Sequence, residues 1–486
     1  MYLRNNYPAI LSEIDREGFA AEETVNPSRF FVRTERRNNE MSAKRSAIKF
    51  LLLSAVMFLF MLASYGSLSH FQIGSEGYVS GMIAAGVLDM DLSDHDFGLN
   101  IISCDGIVWS GDRKYVEDEI YHDTLYLVWN SPKYIGHDSS IVATREQQLG
   151  IQGWPAYYLG RTYKFLHVPP KYYYHLFRMF NIFILVMVLT GITLQLMKAY
   201  DAVFSACFYF ICITSSWIAG FSVNLYWVEF LWFIPMLLGL ICMNHPEKRF
   251  WMYPLIFISV AIKSMCGYEY ISTVMMLPEV FIFSEYIASR GKNTQRANLM
   301  FKITVGVGIC ALAGFAATLI FHSYIRGGGD ILSGLNEIYR ADALRITSGS
   351  AADFPMVFKD SLNASVLQVL AKYFFSKPDG WLSSGLIILT IATILSARKK
   401  HSASLKRDVS LLILSFLCSI SWLVLAKGHS YNHPHINFVL LYMPFVPTAL
   451  YIFLKYRVMT LIPDSEKRRA FFDSACSFVR RVFWMS

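Results

Sequence analysis

The sequence predicts an all-α polytopic membrane protein of about ten transmembrane helices, with a large outer loop after the first helix that contains short interfacial helices. Three observations carry that expectation. Hydrophobic residues make up 54% of the 486 and charged residues 16%, against about 25% charge in a soluble globule. The apolar residues gather in blocks of about 17–22, the length that crosses a hydrocarbon core. Lysine and arginine gather beside alternate block ends, which marks inner loops. The net charge of +8 belongs to the same bias, so its expected partner is membrane lipid and not nucleic acid.

Residues 1–46 form a polar N-terminal segment. The first apolar run, 47–67, begins behind that long polar leader, unlike a cleaved signal peptide, and is read as a retained span. A large outer loop follows over 68–172. Within it, Glu76–Leu88 carries Val79, Met82, Ile83 and Val87 at helical spacing, as suits a short helix lying along the bilayer surface. Leu125–Trp129 is strand-like. Gln152–Leu166, with Trp154, Tyr157, Tyr158 and Tyr163, reads as a second interfacial helix. Pro169 and Pro170 suit the first turn of the next span.

Spans are expected at 173–197, 202–220, 224–243, 250–267, 270–288 and 303–323, a block of six helices over 173–323. A second outer loop covers 324–378, with the look of a mobile loop. Spans at 379–397, 409–426 and 438–455 complete a block over 379–456, and 457–486 form the tail. The basic junctions are Arg33–Lys49, Lys248–Arg249, Arg290–Lys302, Arg398–Arg407 and Lys455–Arg469. With ten spans they share one side, so both termini are expected in the cytoplasm. The short loops Phe221–Asn224, Cys266–Glu269 and Lys427–Asn437 then join the two large ones on the outer face. No internal repeat is visible, and most spans read as free of charge, Lys263 aside. Both features count against a transporter.

The candidate chemistry lies on that outer face. Glu76, in Gly74-Ser75-Glu76-Gly77-Tyr78, is the first carboxylate after the first span. It suits a general base on an acceptor hydroxyl, or a helix-start acid with Ser75 as N-cap. The run from Asp89 through Asp91, Asp94 and Asp96 supplies Asp89 and Asp91 as the next catalytic candidates. Its glycine and glutamate spacing is wrong for a calcium loop, which leaves a solvated loop or a divalent ion held by two acids. Lys263, Tyr268 and Glu269 stand at the outer end of their span. Lys263 is placed to snorkel outward, to grip a phosphate, or to pair with Glu269. His429, His433 and His435 share one short loop without metal spacing, which favours phosphate or sugar contacts over zinc, with plain loop polarity as the alternative. Arg326 before Gly327-Gly328-Gly329, with Arg340 and Arg345 after it, suits a phosphate cup.

Eight cysteines are scattered without a CxxC pair. Cys104 and Cys266 fall on the outer side, as a disulfide or as two thiols. The chain has no Walker loop, nucleophile elbow or nucleic-acid module. Its cytoplasmic loops are too short for a nucleotide-sugar domain, so an activated substrate is expected to arrive on a lipid.

This arrangement resembles the GT-C glycosyltransferases, multispanning enzymes that use polyprenyl-phosphate sugars on the outer face. Ser75-Glu76-Gly77-Tyr78 sits where that family carries its acidic motif. Lys263 with Gly267-Tyr268-Glu269-Tyr270, and the Lys427–His435 loop, sit where it contacts lipid phosphate and sugar. Size and span count look most like the bacterial and phage-encoded O-antigen glucosyltransferases. That resemblance implies a glucose donor linked to undecaprenyl phosphate, a lipid-linked or lipopolysaccharide glycan acceptor, a periplasmic active site in the bacterial inner membrane, and no required cofactor. The chain departs from the family pattern because Glu76 is followed by Gly77 instead of a second acid, so Asp89 and Asp91 stand as substitutes. An O-antigen polymerase or a lipid-linked sugar flippase is the alternative reading.

Overall fold

A computed structural model of the chain describes residues 47–63, 79, 83, 86, 101–102, 143–144, 151–166, 170–375, 378–397, 402–461, 466–467 and 474. Residues 47–51 belong to a separate N-terminal unit, and the remaining described residues belong to the unit from Leu52 onward. Apart from turns and one two-residue antiparallel pairing, Ile101–Ile102 with Ala143–Thr144, the described residues are helical.

In chain order the principal helices are α1 (Ala47–Ala63), α2 (Gly153–Arg161), α3 (Pro170–Ala199), α4 (Ala202–Thr214) and α5 (Ser216–Ser222). There follow α6 (Phe230–Asn244), α7 (Arg249–Met265), α8 (Ile271–Ser289), α9 (Thr294–Arg326) and α10 (Ile331–Glu337). The last five are α11 (Val366–Phe375), α12 (Pro378–Ala397), α13 (Ser402–Leu425), α14 (Lys427–Asn432) and α15 (Phe445–Leu461). Helix α8 is central: α6, α9 and α13 all pack along it, while α3 backs α6 and α7 backs α9.

Four helices are long and apolar enough to cross a membrane, or up to seven if each bent pair counts as one span. The chain is therefore a polytopic all-α membrane protein. The expected span 202–220 is broken instead of straight. Asp201 accepts from Phe204 N at 2.8 Å and Ser215 from Ile218 N at 3.3 Å, so two caps start two helices, α4 and α5, bent by 62°. The expected span 224–243 shrinks to the 15 residues of α6. Its missing part, from Asn224 to Glu229, forms tight turns in which Asn224 Oδ1 accepts from the backbone of Tyr226 and Trp227.

The second outer loop, expected as mobile, is largely helical. Asp330 caps α10 by accepting from Leu332 N at 3.0 Å, α10 folds back on α9, and Ile338–Ala343 continues as a π-turn. In the first outer loop, Val79 and Ile83 are helical and buried, in agreement with the periodicity there. Gly86 lies directly against the backbone of α2 at Tyr157 and Gly160. The strand-like run Leu125–Trp129 lies outside the described residues.

Ion pairs fix one end of the bundle. Glu285 of α8 faces both Arg296 of α9, at 3.4 Å, and Arg407 of α13, at 3.6 Å. Arg407 also lies over the Tyr200 ring at 3.8 Å, and Lys455 of α15 meets Asp408 of α13 at 2.7 Å. This is the basic end marked in the sequence. The spans are less free of charge than expected: Arg178 of α3 is buried, and Glu279 stands in the middle of α8.

Candidate functional site

The opposite end gathers the ends of α7, α8, α9 and α13 with the segments beyond them. Lys263 lies in the last turn of α7 and is 2% exposed. Its Nζ donates to Gly267 O at 2.6 Å and so closes the C-terminus of its own helix, instead of reaching outward or pairing with Glu269. A cation beside the last carbonyls is favoured there by the helix dipole. Glu269 accepts from Tyr226 Oη at 3.5 Å. Gly267 takes φ +130, which sets the sharp turn between α7 and α8.

Tyr268 leaves that turn toward α9, where its Oη lies 2.6 Å from His322 Nδ1. Burial pushes the Tyr268 phenol up, opposed by the positive charge of nearby Arg326. Arg326, in the last turn of α9, donates from Nη1 to Asp342 Oδ2 at 2.5 Å. Asp342 also faces Arg345 Nη2 at 3.7 Å. One carboxylate on the π-turn therefore holds two arginines together.

Arg345 links this group to the histidine loop. The Arg345 and Ile346 backbone carbonyls lie 3.1 and 3.2 Å from where a side chain on Gly428 would begin, which seats α14 against this segment. The rings of His429 and His433 are 4.6 Å apart, and those of His433 and His435 5.4 Å. Burial, with repulsion from His433, Arg345 and His435, pushes the His429 imidazole down to about 3. His433 is lowered by burial first, then by His435 and Arg345. Among the described residues no group of three or more His, Cys, Asp or Glu side chains is arranged to hold a metal ion.

Under the loop lies a run of buried rings. Trp422 meets His429 at 5.7 Å and Tyr270 at 5.9 Å, and Tyr270 stacks on Trp227 at 5.4 Å. Tyr270 Oη donates to Asn437 Oδ1 at 2.8 Å, tying the start of α8 to the turn before α15. Several buried polar atoms here have no hydrogen-bond partner: His429 Nδ1, Arg345 Nε, Trp422 Nε1, Trp227 Nε1 and both carboxyl oxygens of Glu229. Buried polar atoms are usually paired, so His429 Nδ1 and Arg345 Nε, in and next to a half-exposed loop, suit a polar ligand. The first outer loop reaches the same place. Ile151 N donates to Met265 O at 3.0 Å, and Gln152 Nε2 to the carbonyls of Tyr226 and Cys266 at 3.1 and 3.3 Å.

All eight candidate binding residues, Lys263, Tyr268, Glu269, Arg326, Arg345, His429, His433 and His435, thus lie at one end of the bundle. Lys263 and Arg326 are committed to internal partners there, while Arg345 and the histidines border the unpartnered atoms. The catalytic candidates Glu76, Asp89 and Asp91 lie outside the described residues, as does Cys104, and Cys266 is a buried free thiol. Asp342, His322, Asn437 and Glu229 join the site although sequence reasoning does not single them out. Only Asp342, two residues after Arg340 and three before Arg345, carries a local signal. Comparison of the chain with protein-family models, with curated proteins and with solved structures finds no match.

Proposed function

We propose that the protein is an integral membrane glycosyltransferase of GT-C type with about ten spans and both termini in the cytoplasm. It moves a sugar, glucose in the first instance, from undecaprenyl phosphate to a lipopolysaccharide O-antigen or related surface glycan at the periplasmic face of the bacterial inner membrane. The observation that carries this reading is the grouping of Arg345 with the adjacent rings of His429, His433 and His435, in which Arg345 Nε and His429 Nδ1 are buried without a hydrogen-bond partner among the described residues. Unpartnered polar atoms on Arg345 and His429 suit an anionic group at the membrane surface. The rings of the histidine loop suit the apolar faces of a sugar, while the Tyr431 ring carries the Lys372 ammonium at 3.2 Å.

In this mechanism a carboxylate of the first outer loop, Glu76 or in its place Asp89 or Asp91, takes the proton from an acceptor hydroxyl. The hydroxyl oxygen attacks the anomeric carbon, the bond to the phosphate oxygen breaks, and configuration inverts. Arg345 and the histidine loop bind the phosphate as negative charge gathers on it. Docking of Ile151 and Gln152 against α7 supports bringing that loop to this end.

The test is transfer of radiolabelled sugar from polyprenyl phosphate to O-antigen in membranes, wild type against Glu76→Gln at matched protein level. Loss of about 10²–10⁴-fold in rate with donor still bound is the expected result for a lost general base. Undiminished transfer moves the base to Asp89 or Asp91. No transfer by the wild type with any sugar donor turns the reading to a polymerase, seen as longer chains, or a flippase, seen as relocated but unaltered lipid.

A further inference from the structure

Helix α8 carries a carboxyl group that the proposed transferase chemistry does not use. Glu279 is the ninth of its 19 residues, Ile271–Ser289, about 12–15 Å from either helix end at the rise of an α-helix. It is half-buried, and among the described residues it has neither a hydrogen bond nor an ion pair. Helices α9 and α13 flank it: both pack along α8 but make only marginal contact with each other. Glu279 therefore lies on the central helix, between the two helices that flank it.

The neighbours are arranged around the carboxyl. From α9, Gly308 faces it so closely that a Cβ there would stand 2.5 Å from Glu279 Oε1. From α13, the titratable group that feels its charge is the buried thiol of Cys418, which donates to Thr273 O at 3.5 Å. From α6, Gly239 receives the preceding residue, Pro278, at 2.6 Å from the position of a Cβ. The charged groups on this side of α8, Glu285 with Arg296 and Arg407, lie about 9 Å further along the axis. An ionised carboxylate at that depth with no partner is costly, whereas the neutral acid is tolerated. Pro278 adds a second feature. It has no amide hydrogen for the carbonyl of Val274, so the ladder of α8 is interrupted one residue before the carboxyl.

We propose that Glu279, half-buried and, among the described residues, without a polar partner midway along α8, is a proton-binding site within the membrane, reactive toward lipid-soluble carbodiimides. The neutral acid adds across one C=N bond of dicyclohexylcarbodiimide. The carboxyl oxygen bonds to the central carbon, the proton passes to nitrogen, and the O-acylisourea rearranges to a stable N-acylurea with nothing lost. The carboxyl and the weak point of α8 share one level of the bundle.

The experiment treats the full-length protein in native membranes with dicyclohexylcarbodiimide or a water-soluble carbodiimide and locates adducts by peptide mass analysis. The expected result is an adduct on Glu279 from the lipid-soluble reagent alone, at least about tenfold weaker at a pH that ionises the acid, one unit per tenfold. Glu279→Gln, which keeps the shape of the side chain, abolishes that adduct, with thermal unfolding showing that the variant is folded. Absence of the adduct in the wild type, or equal labelling by the water-soluble reagent, overturns the proposal. The readout is independent of sugar transfer, so the two proposals fail separately.

Discussion

Arg326 donates from Nη1 to Oδ2 of Asp342 at 2.5 Å, joining the last turn of α9 to the π-turn that follows α10. Arg326 is 8% exposed and Asp342 22%, so the pair is largely out of solvent. Removing one partner strands the other, which costs more than the pair itself contributes. Asp342→Asn is expected to lower stability by about 1.5–3 kcal/mol, the range of a hydrogen bond to a charged group. A thermal-unfolding double-mutant cycle with Arg326→Met checks this, since the double variant should recover part of the loss. Additive effects would mean the two residues act separately.

The histidine loop should make stability depend on acid. His429 has its imidazole held at about 3 by burial and by positive neighbours, against about 6.5 in the unfolded chain. Between those values the unfolded state binds the extra proton, so folding weakens as pH falls from about 6.5 toward 3, by up to about 1.4 kcal/mol per pH unit. Above that window the neutral imidazole carries no penalty. His429→Gln should flatten the acid limb of an unfolding midpoint measured against pH, while an unchanged slope would assign the limb to other groups.

Gly267 admits no side chain without strain. Its φ of +130 is one that residues with a Cβ rarely adopt, and a Cβ there would run into Glu269 Oε2. Gly267→Ala should cost about 1–3 kcal/mol and disturb both the Lys263 cap and the approach of Tyr268 to His322. The check is a lowered unfolding midpoint together with weakened donor binding. Gly291→Ala, at another positive φ with open space around it, serves as the control and should lose stability without loss of binding.

The Lys/Arg bias alone puts the short loops on one face, and the eight binding candidates do share one end. That inference works because helix direction alternates and loop charge is a one-dimensional property. What each residue touches is not legible in the same way. Tyr268 and His322 are 54 positions apart, and Tyr270 and Asn437 are 167 apart. Lys263 and Glu269 stand close enough along the chain to suggest a pair, yet Lys263 turns to Gly267 O and Glu269 to Tyr226. Glu279 sits within an expected span, where a hydropathy average hides a single acid.

The class of the protein is written in its composition and order: hydrophobic blocks of membrane length and biased basic junctions, both set by the cost of placing polar groups in hydrocarbon. The same pattern carries the expectation of polar chemistry at the end opposite the basic junctions. Packing settles the rest. It breaks the span at the Asp201 and Ser215 caps, and it makes the second outer loop helical. It also leaves Arg345 bordering the unpartnered atoms while Arg326 and Lys263 are tied down. The physical reason is one of range: desolvation acts on each residue where it stands in the chain, while pairing depends on neighbours that only packing brings within about 3 Å.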